Sequence, residues 1–473
     1  MSYFGAHNHT DYSNASVCGK DSITTIETLI DTSVNLGLNG VAITEHGIIS
    51  SHFNAIEYVR EGKENGSIPE DFTLGLGIET YLVDKEEVAL LREQNERIKF
   101  YHFILIAKDE VGHRIIREIA SRGFENAFNY RGFMRIPLYY SDLQEIVSKH
   151  KGHIIASSAC LGGFLASEGV KYATTQDISY KNNIVNFLNR MYKLFGDDFY
   201  IELQPSYQEE QILWNQLALN ISKATGIKPI ISTDSHYPVK SDRKAHEIFL
   251  KSTENGDREL ADFYSTTYLM SKEEVIEYLK DYLSEDIIEE LFNNTLELSS
   301  KIKEYSLKKT PFVPTATVKN DKVSHLFKDY YETHEYIKLY AYSEHPVDRF
   351  FLSLIEQGFL DRKQELNDVN IDRINIELKE FWLISENLGI RISNYYCSVL
   401  EIIEEGWKTS ILGVGRGSSG AVFCLYCLGI TQCNPIKYNI PHWRHISSTR
   451  PELPKLSILG SINLVNCSLN RCA

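Results

Sequence analysis

Two histidines one residue apart, His7 and His9, end the short run Tyr3-Phe4-Gly5-Ala6-His7-Asn8-His9. Side chains at i and i+2 of a strand share one face, so both imidazoles can reach a single divalent cation. Residues of the same chemistry recur beside later apolar runs. Gly40 to Thr44 delivers Glu45-His46-Gly47, Thr73 to Ile78 delivers Glu79, His153 to Ser157 leads to Ala159-Cys160, and Pro229 to Thr233 delivers Asp234-Ser235-His236. Phe199 to Leu203 carries Glu202, and His102 opens Phe103 to Ala107. Imidazoles, carboxylates and a thiolate suit zinc, manganese or iron, whereas an all-oxygen set would indicate magnesium. Closely spaced ions of this kind suit phosphate-ester hydrolysis.

These residues need a frame. Seven short β-rich runs alternate with helical patterns, which predicts parallel strands joined by helical crossovers and closed into a barrel. Candidate ligands at strand C-termini fit the placement of active sites in such barrels, with His102, at the start of its run, as the exception. Ser22 reads as the cap of a helix carrying Ile23, Ile26, Leu29, Ile30 and Val34 and ended by Gly37. His52, His113, His150, His246, His325, His334 and His345 lie in polar or helical stretches without partners at useful spacing, and read as surface or capping residues.

A second cluster lies far downstream. Leu412-Gly413-Val414-Gly415-Arg416-Gly417-Ser418-Ser419-Gly420 combines a closely approachable backbone with hydroxyl and guanidinium donors, a cradle for a triphosphate. The spacing matches neither the Rossmann nor the Walker pattern. Cys424-x-x-Cys427 has no second pair to complete a zinc site and reads as a buried helix face.

Composition bounds the partners. The chain has 473 residues, room for two or three domains, and a net charge of −15. That charge argues against a broad basic surface coating DNA, so nucleic acid must be held in a local groove or through metal ions. Eight cysteines, no apolar signal segment and no apolar span of membrane length predict a cytoplasmic chain without disulfides or membrane contact.

His7-Asn8-His9, Thr44-Glu45-His46-Gly47, Gly77-Ile78-Glu79, His102, Ser157-Ser158-Ala159-Cys160 and Thr233-Asp234-Ser235-His236, in this order, resemble the PHP (polymerase and histidinol phosphatase) domain. Residues 370–454, with Glu377-Leu378-Lys379-Glu380-Phe381-Trp382, Tyr395-Tyr396-Cys397-Ser398-Val399, the glycine-rich loop and Asn434-Pro435-Ile436-Lys437-Tyr438, resemble the start of the palm of bacterial and phage DNA polymerase III alpha subunits, the family C replicative polymerases. The resemblance implies an α/β fold: a distorted seven-stranded PHP barrel over 1–240, a helical connection and first part of the palm over 241–369, and an α-rich or α+β partial palm over 370–454. It also implies a ligand set. His7, His9, Glu79 and Asp234 would hold one metal, Glu79, His102 and Cys160 a second, and His46 and His236 a third, with Asp21 as first choice and Asp11 as second for the ninth ligand. Glu202 would support the site from behind.

The implied activity is metal-dependent phosphodiester hydrolysis, as a 3′–5′ exonuclease, in the N-terminal part of a replicative polymerase that binds DNA primer-template and dNTP, with other replisome subunits or the missing polymerase half as further partners. The triphosphate would be held by Gly415, Arg416, Gly417, Ser418, Ser419 and Arg450. In the family, two aspartates that bind catalytic magnesium follow the segment matching Trp443 to Pro454. Here Lys455-Leu456-Ser457 follows instead, and 455–473 reads as an unrelated tail. The expectation is a fragment, interrupted before those aspartates or completed by a second chain, with magnesium required by the complete polymerase. A free-standing PHP phosphatase and a non-catalytic module binding polymerase partners or DNA are the alternatives.

Overall fold

The computed structural model describes residues 2–15, 20–253, 262–309, 312–450 and 456–457. The chain divides into two compact units, Met1–Lys309 and Thr310–Ala473. Among the described residues no helix is long and apolar enough to cross a membrane.

The first unit is built on one sheet. Its strands are β1 (Phe4–Gly5), β2 (Gly40–His46), β3 (Thr73–Val83), β4 (Tyr101–Ala107), β7 (Pro137–Tyr139), β8 (Ile154–Ser157), β9 (Phe199–Leu203) and β10 (Pro229–Ile231). The order is β1-β2-β3-β4-β8-β9-β10, and β7 adds to β3. A two-residue turn, Arg131-Gly132, joins β5 (Phe128–Tyr130) and β6 (Phe133–Arg135) in a separate hairpin. Helices α1 (Ile26–Asn35), α2 (His52–Asn65), α3 (Lys85–Glu93), α4 (Glu110–Glu125), α5 (Tyr140–Lys149), α6 (Phe164–Thr175), α7 (Ile178–Phe195), α8 (Glu209–Thr225), α9 (Arg243–Thr253), α10 (Lys272–Leu279) and α11 (Glu285–Ser300) belong to this unit.

The expected seven-stranded barrel is present and nearly closed, but its strands are not all parallel. β4 runs antiparallel to both β3 and β8. The start of β4 therefore lies at the same barrel end as the C-termini of its neighbours, which removes the exception posed by His102. The seam between β1 and β10 is closed differently at its two ends. At the ligand end, Asn8 and Ser235 form a parallel bridge and His9 N donates to Ser235 O at 2.9 Å. At the other end α11 fills in: Thr295 Oγ1 accepts from Phe4 N at 3.0 Å and Asn294 Nδ2 donates to Pro229 O at 2.8 Å.

Period-two alternation sorts the side chains. Ile43, Ile78, Leu105 and Ile201 belong to the large core, while Phe4, Ala42, Ile104, Ile106, Ile155, Tyr200 and Ile230 form a smaller cluster within the barrel. Two steps along the inward face from Ala42, Ile230 and Ile104 the residues become polar, at Thr44, Ser232 and His102. Space inside is short. A Cβ at Gly77 would lie 2.6 Å from Leu105 O, and one at Gly40 would lie 2.0 Å from Thr73 O across the β2–β3 pairing.

One local expectation changes. Helix α1 is capped by Thr25, whose side chain accepts from Thr28 N, and not by Ser22. Ser22 Oγ instead lies 3.0 Å from the carbonyls of both His9 and His236. It ties two ligand-bearing segments together.

The second unit packs α12 (Glu335–Ala341), α13 (Pro346–Asp361), α14 (Asp368–Leu388), α15 (Ile392–Thr409) and α16 (Phe423–Cys427) around Tyr340, Phe351, Phe381, Tyr396 and Phe423. Cys424 and Cys427 are buried there, as their apolar neighbours imply. Strand β11 (Arg416–Gly417) pairs antiparallel with β12 (Leu456–Ser457). Of the segment 455–473 only these two residues are described, so the expectation for the tail lies outside the described residues.

Candidate metal centre

The nine ligand positions named from the sequence meet at one end of the barrel. His7 and His9 leave β1 and place their Nε2 atoms 3.1 Å apart, with Asp234 Oδ1 at 3.2 Å from one and 3.3 Å from the other. His46 is in register with Glu79 across β2 and β3, and its Nδ1 lies 2.6 Å from Glu79 Oε2. His9 Nε2 is 3.5 Å from the same oxygen. Glu79 Oε1 faces His102 Nδ1, and Cys160 Sγ is 3.5 Å from that nitrogen. Asp21 Oδ2 lies 3.2 Å from His46 Nε2 and 3.4 Å from His236 Nε2. Asp11, the other candidate for this position, is exposed in the turn Asp11–Ala15 and stands apart from the cluster.

Three triads have donor atoms close enough to share an ion: His7, His9 and Glu79; Glu79, His102 and Cys160; and His9, His46 and His236. Glu79 belongs to two of them and His9 to two. The carboxylate oxygens of Glu79, with Oδ1 of Asp234 and of Asp21, are buried yet make no hydrogen bond, although imidazole nitrogens surround them. No lysine or arginine among the described residues pairs with Glu79, Asp234, Asp21 or Glu202. Buried carboxylates without cationic partners are costly, and this soft and hard donor mixture fits divalent transition metals.

Electrostatics agree with that fit. Burial alone would lower the His7 pKa, but the Asp234, Glu202 and Glu79 carboxylates push it up to about 10. His9 goes the other way, down to about 3, through burial and the neighbouring His46 and His236. The Cys160 thiol is raised by burial and by Asp234 and Glu79. A divalent cation offsets each of these penalties, stabilising thiolate and carboxylates and accepting neutral imidazoles.

Support comes from behind the ligands. Glu202 Oε1 accepts from His7 Nδ1 at 2.8 Å, and its carboxylate also takes hydrogen bonds from Ser157, Ser232 and Gln204. That leaves His7 Nε2 free to face the centre. Glu45, the neighbour of His46, accepts from Thr10 and Ser13, and Ser13 Oγ is 3.2 Å from His9 Nδ1. Ser13 and Tyr81, whose hydroxyl is 3.0 Å from His46 Nδ1, are not singled out by the sequence, and Ser22 reads there only as a helix cap. Their signal is weak because hydroxyls are common in loops. Backbone conformation is unusual here as well: Ala159 and Asp234 are left-handed, with φ of 59° and 46°.

The remaining histidines are not all at the surface. His52, His113 and His246 are buried. His52 Nδ1 lies 3.0 Å from His113 Nε2, and His52 Nε2 donates to Gly77 O at 2.9 Å. His150, His334 and His345 do sit at helix ends.

In the second unit, Gly415 and Gly417 have φ of 88° and 93°, conformations that favour glycine. Ser419 is buried, and the turn Ser418–Ala421 leads into α16. Glu377 holds that entry, its two carboxylate oxygens accepting from Phe423 N and Cys424 N, each at 2.8 Å. Arg373 pairs with Glu377 and donates to Ala421 O at 2.6 Å. The Arg416 side chain lies outside the description. Arg450 is exposed and donates to Arg444 O at 3.2 Å, with no hydrogen bond to the described loop residues.

A PHP domain model matches residues 6–206, and a model described as the bacterial DNA polymerase III alpha NTPase domain matches 349–458. One chain thus matches both the PHP domain and the DNA polymerase III alpha NTPase domain. It is 37% identical over 475 residues to "Probable DNA polymerase YorL" of Bacillus subtilis and equally to "DNA-directed DNA polymerase" of Bacillus phage SPbeta, covering 96% of this chain and 36% of each relative. It is 27% identical to "DNA polymerase III subunit alpha" of Borreliella burgdorferi, over 96% of this chain and 34% of that one. The chain thus spans about a third of the length of these relatives.

Proposed function

We propose that the barrel is a metal-dependent phosphodiesterase acting as a 3′–5′ exonuclease on DNA, within the N-terminal part of a replicative polymerase, and that the glycine-rich loop takes a dNTP. The observation that carries the first half is the sharing of Glu79 and His9 between ligand triads. Bound divalent ions, zinc, manganese or iron, would supply Lewis acidity toward water and the phosphate ester. His7, His9, Glu79 and Asp234 would hold one, Glu79, His102 and Cys160 another, and His46, His236 and Asp21 a third.

The protein groups perform the rest. Glu202 fixes the orientation of His7, and Ser22 keeps the His9 and His236 segments in register. Tyr81 and His102 stand at the rim, where His102 is partly exposed and open to a substrate. The loop supplies Gly415 and Gly417 for close backbone approach, with Arg416, Ser418, Ser419 and Arg450 as donors for triphosphate oxygens.

A primer-template with a mismatched 3′ terminus tests the reading. Release of mononucleotides from that end, abolished by His9→Ala and by Asp234→Asn, is the expected result. Activity confined to small phosphomonoesters would assign the site to a phosphatase, and inactivity despite bound metal would leave it a structural module.

A further inference from the structure

A cavity of about 750 Å³ opens beside the metal centre, bounded by Asp21, His46, Tyr81 and His102 on the ligand side. Its opposite wall comes from the 97–100 segment and the hairpin β5–β6, with Arg97, Lys99, Phe100, Tyr130, Arg131, Phe133 and Arg135. The chain is strongly acidic overall, with a net charge of −15. Among the described residues, none of these four cations forms an ion pair, and Lys99 Nζ donates to Ser167 Oγ at 2.8 Å.

The wall is a built feature. Arg131 and Gly132 form the hairpin turn with φ of 52° and 86°, the left-handed pair that a tight two-residue hairpin requires. Tyr130 Oη donates to Glu96 O at 2.8 Å and accepts from Ile98 N at 3.0 Å, which pins the hairpin to the 97–100 segment. Val83, Val88, Ile98 and Tyr139, with Phe100, Phe128 and Tyr130 against them, form a small core of their own beneath it. Above that core Phe133 is 62% exposed, an apolar ring offered to solvent between two arginines. Arg135 lies over both Phe100 and Phe133, each at 5.5 Å, and its buried Nε makes no hydrogen bond.

Unpaired cations alternating with aromatic faces beside a hydrolytic centre are the chemistry that receives single-stranded polynucleotide, phosphates on the cations and bases on the rings. We infer that the hairpin Phe128–Arg135 and the 97–100 segment form a binding wall for the last nucleotides of a single strand whose 3′ end enters the metal centre. Arg97, Lys99, Arg131 and Arg135 contact the backbone, and Phe133 stacks on a base. This rests on the hydrolase reading of the centre, but binding can be measured without turnover.

The test is fluorescence anisotropy of the whole chain with a short, 3′-labelled oligothymidylate in excess chelator, so that hydrolysis plays no part. Phe133→Ala is expected to weaken binding about tenfold. Arg131→Gln with Arg135→Gln is expected to lower the slope of log affinity against log salt by about 1.4, the loss of two phosphate contacts on a single strand. Phe133→Ala and Arg131→Gln should melt like the parent, since both side chains are exposed, and the half-buried Arg135 is compared at a temperature where its variant is shown by melting to be folded. Unchanged affinity and slope would overturn the inference, as would thymidine monophosphate binding as tightly as the oligonucleotide, which would make the wall a small-phosphate site. Binding intact in chelator, with no hydrolysis of the same oligonucleotide once zinc, manganese or iron is restored, would count against the catalytic reading alone.

Discussion

His102 opens β4 while Glu79 lies deep in β3, and the two meet because the strands run in opposite directions, pairing Tyr81 with His102 and Glu79 with Ile104. An antiparallel strand in an otherwise largely parallel barrel brings its first residues to the end where its neighbours finish. Glu79 thereby gains partners from both sides, His46 from β2 and His102 from β4.

Gly162 is the space that this pairing needs. A Cβ there would sit 2.9 Å from the His102 ring. Gly162→Ala is expected to displace His102 and to remove the ion shared with Cys160, lowering the metal content by about one per chain while the other ions stay. Elemental analysis of the purified variant checks this, and an unchanged content would contradict it.

Glu202 reaches the metal centre through His7. Glu202→Gln keeps a hydrogen-bonding side chain but removes the charge behind the imidazole, and metal affinity is expected to fall by about 10- to 100-fold. Competition with a chromogenic chelator measures the change.

The His52–His113 pair gives a pH dependence. Burial and the neighbouring His113 hold His52 down to about 3, and burial with Arg117 holds His113 down to about 4. Both are neutral in the folded chain at pH 7, whereas an unfolded histidine titrates near 6.5. The folded state therefore binds fewer protons, and the stabilising contribution, complete above about 6.5, is lost progressively as pH falls toward about 4. With metal removed, the unfolding midpoint should drop between pH 7 and 5, and His113→Gln should reduce that drop. Equal drops in parent and variant would refute the assignment.

In the second unit Glu377 satisfies two buried amides and one arginine. Glu377→Ala leaves both amides without a partner and removes the charge facing Arg373, which keeps its bonds to Ala421 O and Ile440 O, and is expected to cost about 3 kcal/mol or more. Denaturant unfolding of that unit, followed by Trp382 and Trp407 fluorescence, reads the loss.

Much of the centre was legible because its ligands are chemically unusual and sit at the ends of apolar runs. His7, His9, His46, Glu79, Cys160, Asp234 and His236 stand out on those grounds alone. Strand direction was not legible, since period-two alternation in Tyr101 to Ala107 reads the same either way. Asp21 could be ranked above Asp11 but only coordinates show which one reaches His46. Ser22 illustrates the opposite limit: a serine before a helical pattern signals a cap, yet the neighbouring Thr25 takes that place and Ser22 holds two carbonyls across the barrel seam. His52 and His113 read as surface or capping residues in the sequence because each has its partner 61 positions away. The last metal motif, at His236, marks the limit of the site but not of the packed unit, because the seam between β1 and β10 is completed by Asn294 and Thr295.

The most direct test is the number of transition-metal ions bound per chain, measured by elemental analysis on protein purified without added metal, beside Glu79→Gln. About two or three ions in the parent, falling by at least one when the shared carboxylate is lost, is the result this account predicts. A parent chain that carries none, and takes up none from zinc, manganese or iron, would contradict it.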